Sequence, residues 1–159
     1  MPSGFLILAD GRCLAVRWLY YDQALRAVAD SLEGPGPTHD LREWLLTLLP
    51  GPDDEEELGY GAWLRSSDQE VIRRHLDVRE LAPENRRMFH EAALRAVEQM
   101  KLADAKSRDP MLMDCLVHLA NMVERANRGE PPLSLSDWIK VEPPTGKRIG
   151  PGWNLLPDP

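Results

Sequence analysis

The chain has 159 residues, a length typical of one domain, and ~70% of its unfolded surface is expected to be buried without a metal ion or disulfide. Its 26 acidic and 19 basic residues give a formal net charge of −7, which opposes binding to nucleic acid and to anionic membrane surfaces. The same charge favours solubility and allows steering toward a basic partner.

Residues 4–34 predict a β-hairpin followed by a helix. Two β-prone apolar runs flank Asp10 and Gly11, and this dipeptide is typical of a two-residue type I′ turn because both positions need a positive φ. From about residue 22, apolar residues recur at helical spacing until the chain reaches Gly34-Pro35. The stripe of this helix consists of Leu25, Val28, Ala29 and Leu32.

A second helix and an acidic loop are predicted next. Thr38 and Asp40 offer N-cap oxygens, and Pro50 with its neighbours ends the helix. Its apolar side carries Leu41, Trp44, Leu45, Leu48 and Leu49. The acidic run that follows is too polar and self-repelling for a core, so we expect a solvated loop. Residues 60–64 fit either a short strand or an anchored loop.

Three further helices are predicted between residues 67 and 128. Ser67 and Glu70 fit a capping box, which predicts a helix over 67–76. Proline in the first turn predicts two longer helices, over 83–105 and 110–128. The stripe of the 83–105 helix consists of Phe89, Ala93, Ala96, Val97, Met100 and Ala103. The 110–128 helix is apolar nearly all round, so we expect it to be central and covered by its neighbours.

The C-terminal segment, residues 131–159, contains seven of the 14 prolines but also Trp138 and Trp153. Tryptophans bury large apolar areas, so we expect an extended arm wrapped on the helical core. The predicted architecture is a single domain over 1–159, mainly α (α+β at the margin). It has a five-helix bundle-like core, an N-terminal β-hairpin and the extended Pro-rich arm packed on the surface.

The cysteines and the N-terminal residues favour a cytoplasmic chain. Cys13 and Cys115 lack metal-ligand spacing, and we expect free, buried thiols in a reducing compartment. Residues 1–8 are apolar but too short for a membrane span, and they lack the basic residues that begin a signal peptide. We therefore expect neither a membrane span nor a signal peptide here.

No stretch of the sequence carries a specific catalytic, cofactor or metal motif. His90-Glu91 has no second histidine at zinc-site spacing, so we expect no cofactor and no metal. Asp114 and His118 lie four residues apart on one predicted helix face. They could be a base and its orienting partner, or two metal ligands. The more frequent case is a structural polar pair within an apolar helix.

The acidic loop and the aromatic residues around it form the predicted binding surface. Its members are Asp53, Asp54, Glu55, Glu56, Glu57, Trp44, Tyr60 and Trp63. Aromatic anchors beside a charged rim are typical of protein interfaces, and clustered carboxylates speed encounter with a basic partner. In the alternatives, the loop is merely solvated, the aromatics pack in the core, or nearby arginines neutralise the loop. Those arginines are Arg73, Arg74, Arg79, Arg86 and Arg87.

Three functions are compatible with these features of the sequence. The leading hypothesis is a non-enzymatic protein-binding protein, a bacterial immunity-type inhibitor of a cognate toxin domain, because toxins that attack nucleic acid tend to be basic. The second is a structural adaptor or chaperone subunit that holds a partner helix in a methionine-lined groove. The third is an enzyme, which would need Asp114, His118, His90 and Glu91 to converge in one cleft. The oligomeric state stays open.

Overall fold

A computed structural model of the chain describes residues 4–8, 10–54, 62–104, 106, 109–130 and 139–141, the last three and residues 13 and 15 as backbone alone. In chain order the elements are β1 (Gly4–Ile7), β2 (Arg12–Val16), α1 (Trp18–Asp30), α2 (Pro37–Thr47), β3 (Ala62–Arg65), β4 (Glu70–Arg73), β5 (His75–Asp77), a 3₁₀ turn (Val78–Glu80), α3 (Pro83–Leu102), α4 (Pro110–Asn127) and β6 (Ile139–Val141). This part of the chain is mainly α or α+β.

One layer of the fold is a four-stranded sheet in the order β5-β1-β2-β6. β1 and β2 are antiparallel, with Leu6 opposite Leu14, whereas β5 runs parallel to β1 and places Leu76 opposite Leu6. A parallel pair needs a long crossover, and the chain from α1 to β4 supplies it. Three leucines at one register position therefore form the sheet side of the core.

The helices supply the other layer, and they pack on the face of the sheet that carries these leucines. The buried helical residues include Tyr21, Leu25 and Val28 of α1, Leu41 and Leu45 of α2, Phe89, Ala93 and Val97 of α3, and Leu116, Leu119 and Val123 of α4. Each fully buried valine, leucine or phenylalanine side chain contributes roughly 1.5–3 kcal/mol relative to exposure. The predicted stripes of α1 and α3 therefore mark the faces that are buried, although Ala103 lies beyond the end of α3 and is exposed.

The N-terminal hairpin forms as predicted, but its turn differs. The N–H of Leu8 donates to the carbonyl of Arg12 at 2.7 Å, so three residues rather than two connect the strands. Gly11 has a φ of +89°, whereas Asp10 is not among the described residues with positive φ. The type I′ prediction is therefore wrong. A three-residue loop with glycine in the left-handed position fits the twist of the two strands instead.

Residues 67–76 do not form the predicted helix. They belong to a β3–β4 hairpin in which Arg65 is opposite Glu70, and to β5. Arg65 holds the turn by ion pairs with Asp68, at 2.7 Å, and with Glu70. Val71 and Ile72 favour the strand because their branched side chains fit a pleated surface. The part of the chain that the structure describes thus contains four α-helices, not five.

The last helix, α4, is in the core but is not covered on every side. It packs against α1, α3 and β2, and its buried residues include Cys115, Leu116 and Leu119. Met111 is 38% exposed, and Asp114 is also exposed. The predicted central helix therefore has one buried face and one partly open face. No helix in the described ranges has both the length and the apolarity needed to cross a membrane.

The predicted C-terminal arm is described at Ile139–Val141 alone. These residues form β6, which extends the sheet beside β2 with Ile139 opposite Leu14. The remainder of residues 131–159, including Trp138 and Trp153, lies outside the described residues.

Candidate functional site

The predicted binding surface is described in part. Glu55, Glu56, Glu57 and Tyr60 lie outside the described residues. Trp63 is 1% exposed in β3, so its ring lies inside the fold, where it cannot touch a partner. Trp44 is 40% exposed and Asp53 is exposed. Of the aromatic residues proposed for this surface, Trp44 is the one that the described structure leaves open to a partner.

Asp54 has a structural contact that its place in the acidic loop did not predict. Its carboxylate accepts hydrogen bonds from the N–H of Ser66 at 2.8 Å and from the N–H of Gly51 at 2.7 Å. These bonds, that from Ser66 first, hold the pKa of Asp54 below its usual range. Asp54 therefore ties the start of the acidic loop to the β3–β4 turn.

The arginines that could neutralise the acidic loop bind elsewhere or form no ion pair in the described structure. Arg74 is buried and donates to both carboxylate oxygens of Asp22, at 2.7 and 2.8 Å. Arg79 pairs with Asp77 at 2.7 Å. Among the described residues, none of the five arginines named above makes an ion pair with Asp53 or Asp54. The charge of these two carboxylates is therefore not cancelled by that group.

An open cleft of about 440 Å³ lies between α2 and the start of α3. It is lined by Pro37, Asp40, Leu41, Trp44, Glu80, Leu81, Ala82 and Asn85. Asp40 and Glu80 are its charged lining residues, and neither makes an ion pair with another described residue. We call this feature the Trp44 cleft. The Trp44 cleft therefore contains an exposed indole ring and two carboxylates without an ion-pair partner in the described structure.

Helical spacing explains how α2 builds its wall of the Trp44 cleft. Pro37 begins the helix after Gly36, whose φ of +69° suits glycine. Asp40 and Trp44 are four residues apart and therefore share one face. Leu41 and Leu45 turn into the core, which leaves Trp44 at the edge of the apolar stripe. The opposite wall, at Glu80 and Leu81, comes from a distant part of the chain, so the sequence alone did not indicate it.

A second cavity, of about 300 Å³, lies between α3 and the end of α4. Its lining consists of Pro83, Arg86, Arg87, His90, Glu91, Leu94 and Asn127. We call it the His90 cavity. His90 is 9% exposed, and its Nε2 atom has no hydrogen-bonding partner in the described structure. Burial, and then the positive charge of Arg86, lower the pKa of His90, while Asp10 acts in the opposite direction.

The four residues of the enzyme hypothesis are divided by the structure. His90 and Glu91 line one cavity, but Asp114 and His118 do not line it. In the described structure no hydrogen bond or ion pair joins Asp114 to His118. The described residues also contain no group of three or more His, Cys, Asp or Glu side chains placed to hold a metal ion.

Cys115, next to Asp114, is a free cysteine and is buried. Burial raises the pKa of its thiol to about 12, so the thiol stays protonated near neutral pH. The side chain of Cys13 lies outside the description.

The methionines of the adaptor hypothesis are spread over different environments. Met122 is 2% exposed in the core, whereas Met111 is 38% exposed at the start of α4. Met88, Met100 and Met113 are half-buried. Met88 and Met100 pack against the core, and the sulfur of Met88 also accepts a hydrogen bond from the hydroxyl of Thr38 at 3.4 Å. Core packing is therefore one role of this set.

Arg12 and Asp77 are buried charged residues that the sequence pattern did not single out, and Arg12 joins two elements. Arg12 is 6% exposed, pairs with Asp10 at 2.9 Å and donates to the carbonyl of Met122 at 3.2 Å. The contact ties the hairpin to α4. Strand alternation did carry a signal, because Arg12 shares a face of β2 with the buried Leu14 and Val16.

Compared with protein-family models, curated proteins and solved structures, the chain has no match.

Proposed function

We propose that this chain is a non-enzymatic protein-binding protein, an immunity-type inhibitor that occupies the active face of a basic bacterial toxin domain. The observation that carries the proposal is the half-exposed indole of Trp44 in a cleft whose two charged lining residues are both acidic. The formal net charge of −7 adds to it, because opposite net charges speed the encounter of two proteins.

The Trp44 cleft has the chemistry needed to bind a basic side chain. An arginine of the partner can stack on the indole, and its planar guanidinium can donate to Asp40 or Glu80. Tryptophan is enriched among the few residues that dominate binding energy at interfaces. Arg42 pairs with Glu43 on the same helix at 2.8 Å, so Glu43 contributes less to this negative field than Asp40 and Glu80 do.

Co-expression in a bacterial host with the toxic domain encoded beside this chain's gene tests the proposal. The unmodified chain is expected to restore growth, and Trp44→Ala combined with Asp40→Lys is expected to abolish the rescue. Val71→Ala is the matched control, because Val71 is 50% exposed on β4 and does not line the cleft. Failure of the unmodified chain to restore growth contradicts inhibition.

Binding measurements on the purified pair separate the cleft from the rest of the surface. Truncating a central tryptophan costs an interface about 2 kcal/mol or more, so Trp44→Ala should weaken binding by at least about 30-fold. Asp40→Asn should mainly slow association, and its effect should shrink as added salt screens the charge. Unchanged binding of both variants would place the interface outside the Trp44 cleft.

A further inference from the structure

The His90 cavity has the residues of an anion site, and its chemistry is opposite to that of the Trp44 cleft. We propose that the His90 cavity binds the phosphate or carboxylate group of a small organic ligand. This inference does not depend on the proposed function, because the cavity and the Trp44 cleft have different lining residues.

Two arginines in the cavity are the first observation. Arg86 and Arg87 both line it, and neither makes an ion pair or a side-chain hydrogen bond with another described residue. Many other arginines do make ion pairs, namely Arg12, Arg42, Arg65, Arg74, Arg79, Arg125 and Arg128. Two guanidinium groups that line one cavity without an ion-pair partner repel each other. An oxyanion bound in the cavity would offset that repulsion and could accept charge-assisted hydrogen bonds from them.

The buried histidine is the second, independent observation. His90 lines the same cavity with nine-tenths of its surface buried, and its Nε2 has no partner in the described structure. A buried polar atom without a hydrogen bond costs free energy, so such an atom calls for an explanation. Protein atoms cover this nitrogen in the described structure, so a small rotation of the ring toward the cavity would be needed for a bound oxyanion to accept its hydrogen bond. Asn127, at the end of α4, brings a further amide donor.

The remaining lining residues limit the size and charge of the ligand. Two arginines against one glutamate, Glu91, leave one net positive charge, which suits a single phosphate or carboxylate group. Pro83 and the 37% exposed Leu94 offer apolar surface for the organic part. About 300 Å³ is at the low end for ligand pockets, so the ligand must be small.

Protonation of His90 should be linked to anion binding. The charged groups that act on the ring are Arg86, which opposes its protonation, and Asp10 of the hairpin turn, which favours it. Arg87 and Glu91 are the other charged groups of the cavity. A bound anion adds a negative charge beside the ring and so raises the pKa of His90. Binding should therefore take up a proton and become tighter as the pH falls.

Titration calorimetry with inorganic phosphate and, separately, with malonate tests the site on the full chain. We expect saturable binding of at least one probe, and the preferred probe distinguishes a phosphate ligand from a carboxylate ligand. Arg86→Gln with Arg87→Gln should weaken it about tenfold or more, because a hydrogen bond to a charged group contributes roughly 1.5–3 kcal/mol. Arg26→Gln with Arg73→Gln is the matched control. It changes the charge equally at two exposed arginines that make no ion pair in the described structure.

The NMR signals of the His90 ring provide the second readout. The preferred anion should shift the titration of His90 toward higher pH, and sulfate, which stays a dianion throughout this pH range, should do the same if it binds. His90→Gln should retain a fold that unfolds cooperatively but lose the pH dependence of binding. Absence of saturable binding by both probes overturns the proposal, and so does an equal loss of affinity in the two arginine pairs.

Discussion

Gly4, at the start of β1, lies against the ring of Tyr21, and this approach leaves no room for a side chain. A Cβ on Gly4 would be 2.5 Å from Cγ of Tyr21 and 2.6 Å from its Cβ. Gly4→Ala should therefore lower the free energy of unfolding by about 1–3 kcal/mol through overpacking. Urea denaturation measures this, with Gly51→Ala as control, because its Cβ would meet Asp54 at an ordinary 3.4 Å. Equal stability of the two variants would contradict the close contact.

His90 should make the stability of the fold depend on pH. Burial first, and then Arg86, lower its pKa in the folded chain, while the unfolded chain has the ordinary value of about 6.5. As the pH falls through that value, the unfolded state takes up a proton that the folded state resists. The free energy of unfolding should therefore decrease between about pH 7.5 and pH 5.5. His90→Phe should flatten this slope in urea denaturation, and an unchanged slope would exclude His90 as its source.

At the scale of single elements, the β3–β4 turn contains a strained residue. Gln69 has a φ of +60° and is the one non-glycine residue with positive φ in the described ranges. Glycine adopts this conformation without the steric cost of a Cβ, so Gln69→Gly should raise the free energy of unfolding by about 0.5–1 kcal/mol. The loss of the hydrogen bond from the Gln69 amide to the carbonyl of Ser66, 3.2 Å long, offsets part of this gain.

Ser67→Gly is the matched control for this turn. Ser67 is exposed in the same turn and has no positive φ, so glycine there should only increase the entropy of the unfolded chain and lower the thermal midpoint. If both glycine variants destabilise the protein equally, Gln69 is not in the left-handed region in solution.

The same hairpin shows which elements the sequence could predict. The four long helices follow from apolar stripes and from proline in the first turn at Pro83 and Pro110, which are local signals. β3, β4 and β5 have three or four residues each and are too short for a clear period. Ser67 and Glu70 also match a helix-start signature, but residues 70–73 form a strand that pairs with β3 instead. β5 depends on β1, about 70 residues earlier, and local patterns cannot show such a pairing.

In the candidate sites, too, the sequence indicates single residues but not the long-range contacts that bring them together. The sequence indicated Trp44 beside acidic residues, but the cleft forms only because the crossover brings Glu80 and Leu81 against α2. It also singled out His90, yet the arginines beside it were assigned to the acidic loop. The packing of α3 against α4 places these arginines and His90 in one cavity. The burial of Trp63 and Arg74 removes both side chains from the surface where the acidic loop was expected to meet them.

The contact between Arg74 and Asp22 joins parts of the chain that are 52 residues apart. Arg74 lies between β4 and β5, its side chain is fully buried, and its guanidinium also stacks on Trp18 at 4.9 Å. Removing Asp22 takes from the buried guanidinium of Arg74 the carboxylate that accepts two of its hydrogen bonds. Asp22→Ala should therefore lower the free energy of unfolding by about 3–5 kcal/mol in urea denaturation.

A double-mutant cycle uses Asp22→Leu, Arg74→Met and the two substitutions combined. Because both charges are then removed and apolar volume replaces them, the double variant should be more stable than either single variant. Arg128→Met with Glu124→Leu is the control, since this pair, 2.8 Å apart, is exposed at the C-terminal end of α4 and should couple by only about 0.3–0.5 kcal/mol. Additive losses at Arg74 and Asp22 would mean that the crossover is held by the hydrogen bond from Phe5 N–H to the Arg74 carbonyl and by the apolar core, without the ion pair.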